Sequence, residues 1–345
     1  MSIHITLYPT TATKTSLLSF LVVANFHKSR HLLDSMNAPD KLHYIWFGYE
    51  NYESTTGVEA QLYKVSPEER KKYNCSEWVL QTRTRSSGSY EDKQKQNEII
   101  RKARREFGGS FFNDSYGTNK YTPLEGYKKF SPLEKGISIV ASNSIDKLMQ
   151  IEYCLSNYTT EMSESINSLS PELKRFLFTK DPAIILYNSL MPFLVSVLEY
   201  FFGQSFANFL KYDIAAKDML LEEKIKIGIA DVVNILQKET SVEQIVTQSY
   251  NFQNIESINK AYAKYLSIDI KATLYKKKKI NGKLFQVLPK VREILEARHR
   301  FVHELDINYD LTKQGYLDYI RTVENAIMLV LQAFKAKHLK IEIVF

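Results

Sequence analysis

Residues 293–306 read "EILEARHRFVHELD", and one position in them breaks a pattern. Val291, Leu295, Val302 and Leu305 recur at helical steps, the spacing of one buried helix face. The member missing from that series is position 298, and it is an arginine. A charged side chain is rarely buried unless paired, because taking it out of water is costly. In one reading Arg298 snorkels to a carboxylate such as Glu296 or Glu304 and only supports packing. In the other it is placed there for chemistry. His299 and His303 lie one turn apart beside it, since residues four apart stack on a helix surface.

Around this segment the chain reads as helical. Apolar periodicity predicts helices over 131–157, 170–178, 182–211, 215–238, 255–272, 286–305 and 312–338. Strand signals nearly vanish there until "LKIEIVF" at 339–345, which predicts one short strand. The stretch "PAIILYNSLMPFLVSVLEYFFGQSFANFL" (182–210) is apolar enough to resemble a membrane span. Asn188, Pro192, Glu199 and Gln204 interrupt it, which predicts a long helix buried in a bundle and no membrane.

Residues 1–125 read differently. "IHITLYP", "LHYIWFG", "GVEAQLYKV" and "EWVLQTRTR" are β-rich runs between turn-forming residues, and "TKTSLLSFLVVANF" is helical. In "SYEDKQKQNEIIRKARREFGG", Ser89 and Asp92 form a capping box. Ile99, Ile100, Ala103 and Phe107 make the stripe, and Gly108-Gly109 ends the helix. The order strand, helix, three strands, helix predicts a small sheet covered by helices. The fold class expected is therefore α+β: a mixed α/β domain over 1–125, a helical connector over 126–175 and a helical domain over 176–345.

The 345 residues are 44% hydrophobic and 25% charged, an ordinary globular composition of about two domains. Cys75 and Cys154 are the two cysteines, too few for a disulfide framework, and they point to a reducing compartment. "MSIHITLYPT" carries no basic segment followed by an apolar core, so the expectation is a cytoplasmic protein. The net charge is +7, a mild bias compatible with an anionic partner. The basic residues cluster in "RKARREF" (101–107) and in "YKKKKINGK" (275–283), which contains Lys276, Lys277, Lys278, Lys279 and an Asn-Gly turn.

In the first domain, "TRTRSSGSYEDK" sets Arg83 and Arg85 two apart, on one face of a strand that leads to a helix start. Backbone amides at such a start can hold a phosphate, with the two arginines assisting; ordinary capping is the alternative. There is no GxGxxG, GxxxxGK[ST] or GxSxG. His27 and His31 also lie four apart, among Lys28 and Arg30, as an exposed surface would.

The stretch "ARHRFVHELD" reads as arginine, a polar residue and then a histidine five positions after the arginine. It resembles the active-site signature of HEPN domains (higher eukaryotes and prokaryotes nucleotide-binding), a helical-bundle superfamily rich in RNA-cutting toxins and antiviral effectors. The motif falls late on a helix near the end of a helical module. "DINYDLTKQG" and one long closing helix follow it, and "LVSVLEYFFGQSFANFL" is similar to the family's first helix. The resemblance covers about 180–338 and assigns nothing to residues 1–130.

The resemblance implies a homodimer in which two motif copies face one cleft and cut RNA without metal or cofactor. The 2′-hydroxyl would attack the adjacent phosphate and leave a 2′,3′-cyclic phosphate. Arg298 would stabilise charge on the phosphate, His303 would move the proton, and His299 would orient the site. Lys276 to Lys279, with Arg83 and Arg85, are the expected RNA contacts. A regulatory or antitoxin protein is a further expected partner. On an ideal helix five residues turn Arg298 and His303 about 140° apart, so convergence needs a long reach or a site shared by two copies.

Two other classes use the same letters. His299 and His303 have metal-ligand spacing, with Glu296, Glu304 or Asp306 as third ligands. The metalloprotease form needs glutamate directly after the first histidine, where this chain has Arg300. The remaining class is a non-catalytic module that binds nucleic acid or holds a dimer.

Overall fold

A computed structural model describes residues 1–29, 41–158, 181–224, 226–280 and 282–337, with positions 170, 173 and 339. The chain forms two compact units, Met1–Pro132 and Leu133–Phe345.

The first unit runs β1 (Ser2–Tyr8), α1 (Lys14–Val23), β2 (His27–Lys28), β3 (Leu42–Trp46), β4 (Val58–Lys64) and α2 (Pro67–Tyr73). It continues with β5 (Trp78–Arg85), α3 (Tyr90–Phe107), β6 (Ser110–Asn113) and β7 (Gly117–Thr118). The described strands form one antiparallel seven-stranded sheet in the order β2-β3-β4-β5-β1-β6-β7. Alternation fixes its faces: the register sets Leu62 and Leu7 on either side of Leu80, in one row. That row and Ile5, Ala60 and Phe111 pack under Leu17 and Leu21 of α1 and Ile99, Ile100, Ala103 and Phe107 of α3.

The α3 capping box forms as the sequence predicts, with Ser89 and Asp92 bonded reciprocally. Its end is set by Gly109 at φ 90°, where a Cβ would lie 2.0 Å from the Tyr8 carbonyl oxygen. Only glycine lets the helix turn that close to β1. The sequence reading omits α2, β2, β6 and β7. His27 is exposed on β2, and His31 lies outside the described residues.

The second unit begins with α4 (Pro132–Ser156), whose Ile137, Val140, Ile145 and Leu148 enter the helical core. This part of the stretch read as a connector over 126–175 is core, because its apolar face packs rather than spans a gap. Apart from positions 170, 173 and 339, the expected helix over 170–178 and the strand over 339–345 lie outside the described residues.

At the centre is α5 (Pro182–Tyr212), with Leu194, Leu198, Phe201, Phe202, Phe206 and Phe209 all buried. By length and composition α5 could cross a membrane; here half of its most apolar window is buried inside the unit. The expected helix over 215–238 is two pieces, α6 (Ile214–Leu221) and α7 (Ile229–Leu236), the second starting after Gly228. After α8 (Val242–Gln248), the expected helix over 255–272 divides into α9 (Ile255–Leu266) and α10 (Ile270–Leu274) at Ser267, which is left-handed at φ 50°.

A β-hairpin, β8 (Lys277–Ile280) and β9 (Lys283–Gln286), then interrupts the helices where none is expected. Gly282 turns it at φ 81°. The motif helix α11 (Val287–Glu304) and the closing helix α12 (Lys313–Lys335) complete the unit.

Candidate active site

The motif helix is buried at one end only. Val287, Leu288, Val291 and Ile294 are its buried residues, and none follows in the last ten positions. The face expected from the sequence is thus overturned beyond Leu295: Val302 is 41% exposed and Leu305 80%. The spacing continues, but α11 runs past the core that the spacing would bury it in. Arg298 is partly buried on this half, and among the described residues it makes no hydrogen bond or ion pair, with Glu296 and Glu304 included. The paired-carboxylate reading of Arg298 is therefore not what the fold builds.

His299 and His303 are exposed, and their rings meet at 4.7 Å with a 44° tilt, one turn apart. Arg300 turns to Asp306 at 3.6 Å. No cluster of three metal-ligating side chains occurs among the described residues.

The helix is anchored upstream and pinned downstream. Upstream, the Tyr319 hydroxyl on α12 donates to Glu293 at 2.7 Å, and Lys290 donates to the same carboxylate at 3.1 Å. Burial pushes the Glu293 carboxyl up, but the bonds from Lys290 and Tyr319 outweigh it and hold the group below its ordinary range. Burial first, then Glu293, pushes the Tyr319 hydroxyl up, with Arg300 opposing.

Downstream, Leu305 closes the helix in a left-handed conformation at φ 54°. The turn after it is tied to α5: the Asn308 amide donates to Asn188 Oδ1 at 2.9 Å, and Asn188 Nδ2 donates to the Asn308 carbonyl at 3.1 Å. Asn188 is 3% exposed, so its amide has exchanged water for these bonds. The sequence reading treats Asn188 as an interruption of an apolar run. A lone amide in such a run demands a buried partner, and that signal was available.

Lys276, Lys277 and Lys279 are exposed and Lys278 is partly buried, none in an ion pair among the described residues. Their hairpin enters the N-terminal end of α11, and the motif sits at the other end, about 16 to 24 Å along the axis. The fold does not bring the lysines to the motif.

Arg83 and Arg85 belong to the other unit. They share one strand face as expected, but Arg83 pairs with Glu59 at 3.2 Å and donates from Nε to Ser2 Oγ at 3.2 Å. Arg85 is exposed. The phosphate cradle expected beyond them is already filled from within. Asp92 Oδ2 accepts from the amides of Thr55, Thr56 and Ser89 at 3.0–3.1 Å, and the Ser86 and Gly88 amides bond to Met1 and Arg85 carbonyls. Glu91 and Asp92 also place negative charge in that first turn.

The sequence reading misses Lys93, fully buried behind this cap, whose ammonium bonds to the Gly88 carbonyl and lies 4.2 Å from the Tyr127 ring. Compared with models of known families, with curated proteins and with solved structures, the chain matches none.

Proposed function

We propose that the helical unit is an endoribonuclease that cuts RNA without a metal ion, acting in the cytoplasm as a toxin or antiviral-defence effector. The observation that carries this reading is the state of Arg298: partly buried, without a carboxylate to neutralise it, beside two exposed histidines. An arginine kept free of acids suits a dianionic or anionic ligand, and its planar fork matches a phosphate. The resemblance of this motif and of the surrounding helices to HEPN domains supports an HEPN-like bundle and a homodimer.

In the reaction the RNA 2′-oxygen bonds to the adjacent phosphorus as the bond to the 5′-oxygen breaks. The products are a 2′,3′-cyclic phosphate and a 5′-hydroxyl. The proton leaving the 2′-hydroxyl is balanced by one delivered to the departing oxygen, and the single His303 of each site accepts the first and supplies the second. Arg298 meets the charge building on the non-bridging oxygens, and His299 holds His303 through their ring contact.

Replacing His303 with alanine should lower the cleavage rate by about 100-fold or more while leaving RNA affinity within a few-fold. An unchanged rate would remove His303 from the reaction. The second reading is a non-catalytic module for RNA binding or dimerisation, favoured by the exposed Val302 and Leu305. It predicts RNA binding with no cleavage by the wild-type chain.

A further inference from the structure

One helix of the second unit is built inside out. No residue of α7 is buried, and among the described residues of the helical core none comes from it. Ile229, Val232, Val233 and Leu236 recur at helical steps that line them up as one stripe. That stripe faces water: Ile229 is 87% exposed, Leu236 78%, and the two valines 44% each. Asp231, Asn234 and Ile235 lie half-buried on the opposite side, so two polar residues take the inner face. An isolated helix this short is marginal in water, and packing of an apolar face is what normally holds one. The core of its own unit does not supply that packing.

The stripe has the symmetry of a surface made for its own copy. Bulky Ile229 and Leu236 flank the smaller Val232 and Val233, so it reads alike from either end. Laid antiparallel about a two-fold axis between positions 232 and 233, Ile229 of each copy meets Leu236 of the other, and valine meets valine.

The charges beyond the ends agree with that direction. Lys226 precedes the helix and Glu239 follows it, both exposed and in no ion pair among the described residues. Each has the wrong sign for its own helix end, and Asp231 in the first turn has the right one. In the antiparallel pair Lys226 of each copy lies against Glu239 of the other. A parallel pair would set lysine against lysine and glutamate against glutamate. A membrane surface fits less well, because a helix that lies on lipid carries an excess of cations, whereas residues 222–239 hold four acidic and three basic residues.

We propose that α7 is a contact surface for a second copy of this chain, joined antiparallel through the stripe of Ile229, Val232, Val233 and Leu236. Four side chains are far fewer than the roughly 20–30 residues a side of a standard interface, so the contact by itself is weak and reversible. The exposed ion pairs add little to its strength and set its direction. The contact does not rest on the nuclease reading.

The test traps the contact in the full chain by oxidation, with Cys154→Ser removing the exposed native thiol. Val232→Cys sits next to the axis, so two copies should form an intermolecular disulfide about 10-fold faster or more than the wild-type chain does through Cys154. Ile229→Cys should not cross-link to itself, because about 10 Å of helix separates its two thiols in the antiparallel pair. Ile229→Cys mixed with Leu236→Cys should cross-link. Lys226→Glu should slow the Val232→Cys cross-link about 3-fold, and adding Glu239→Lys should restore it.

Circular dichroism melts check that each variant folds. Val232→Cys cross-linking no faster than Cys154 would overturn the proposal, as would Ile229→Cys cross-linking to itself as fast as Val232→Cys. Capture of the chain by phosphatidylcholine vesicles that is lost with Leu236→Glu would mean a membrane surface and overturn it too. The cross-link is read without RNA, so its failure and that of the nuclease reading are distinguished.

Discussion

Asn188 shows how one buried amide shapes the candidate site. Besides the Ile184 carbonyl of its own helix, it bonds the backbone amide and carbonyl of residue 308, so the two asparagines are not equivalent in mutation. Asn188→Ala leaves the Asn308 amide and carbonyl without those partners and should cost about 1–3 kcal/mol of unfolding free energy. Asn308→Ala keeps both backbone bonds and should cost about 1 kcal/mol or less, losing only its contact with the Asp310 amide. Urea unfolding of the two variants measures the difference; equal losses would mean that the reciprocal bond does not hold the turn. At this scale the site was partly legible. Arg298 stood out because a charge occupied an apolar series, but Val302 and Leu305 carried the same spacing and are exposed. Periodicity reports which residues share a face and not where the core beneath that face stops.

Among elements, the motif helix depends on its contact with α12 through Glu293 and Tyr319. The folded Glu293 carboxyl titrates below its ordinary value, so the unfolded chain binds its proton first as pH falls. Its contribution is therefore complete above the ordinary carboxylate range, near 4.5, and is lost as pH drops through the lowered folded value. Glu293→Gln should flatten the acid limb of stability between those values and change little at neutral pH. Thermal melts from pH 7 to pH 3 check this, and an acid limb identical to wild type would assign the loss to other carboxylates. The alternation of β1 and the β-rich run of β5 were legible, because strands packed on a core must carry apolar residues. The β8–β9 hairpin was not: "KKKI" has no apolar alternation, and its Asn-Gly turn, the strongest hairpin signal in the chain, read as a loop between charges.

For the whole molecule, the division into a sheet unit and a helical unit was legible from the change in periodicity, and the border at Pro132 was displaced because α4 carries core residues. The account of function requires two copies. If each RNA-cutting site takes Arg298 from one copy and His303 from the other, mixing inactive Arg298→Ala and His303→Ala chains restores one intact site in each mixed dimer. Random exchange then returns about a quarter of wild-type cleavage. No recovery after verified subunit exchange would place both residues of the site in one copy.

The central claim, that Arg298 serves metal-independent cleavage of RNA, is tested most directly by the ends of the products. A labelled RNA is incubated with the full chain in excess EDTA, and the fragments are resolved for their termini. The account predicts fragments ending in 2′,3′-cyclic phosphate from the wild-type chain, formed at less than about a hundredth of that rate with Arg298→Ala. Fragments that form only when a divalent metal is supplied, or that form equally with Arg298→Ala, would contradict it.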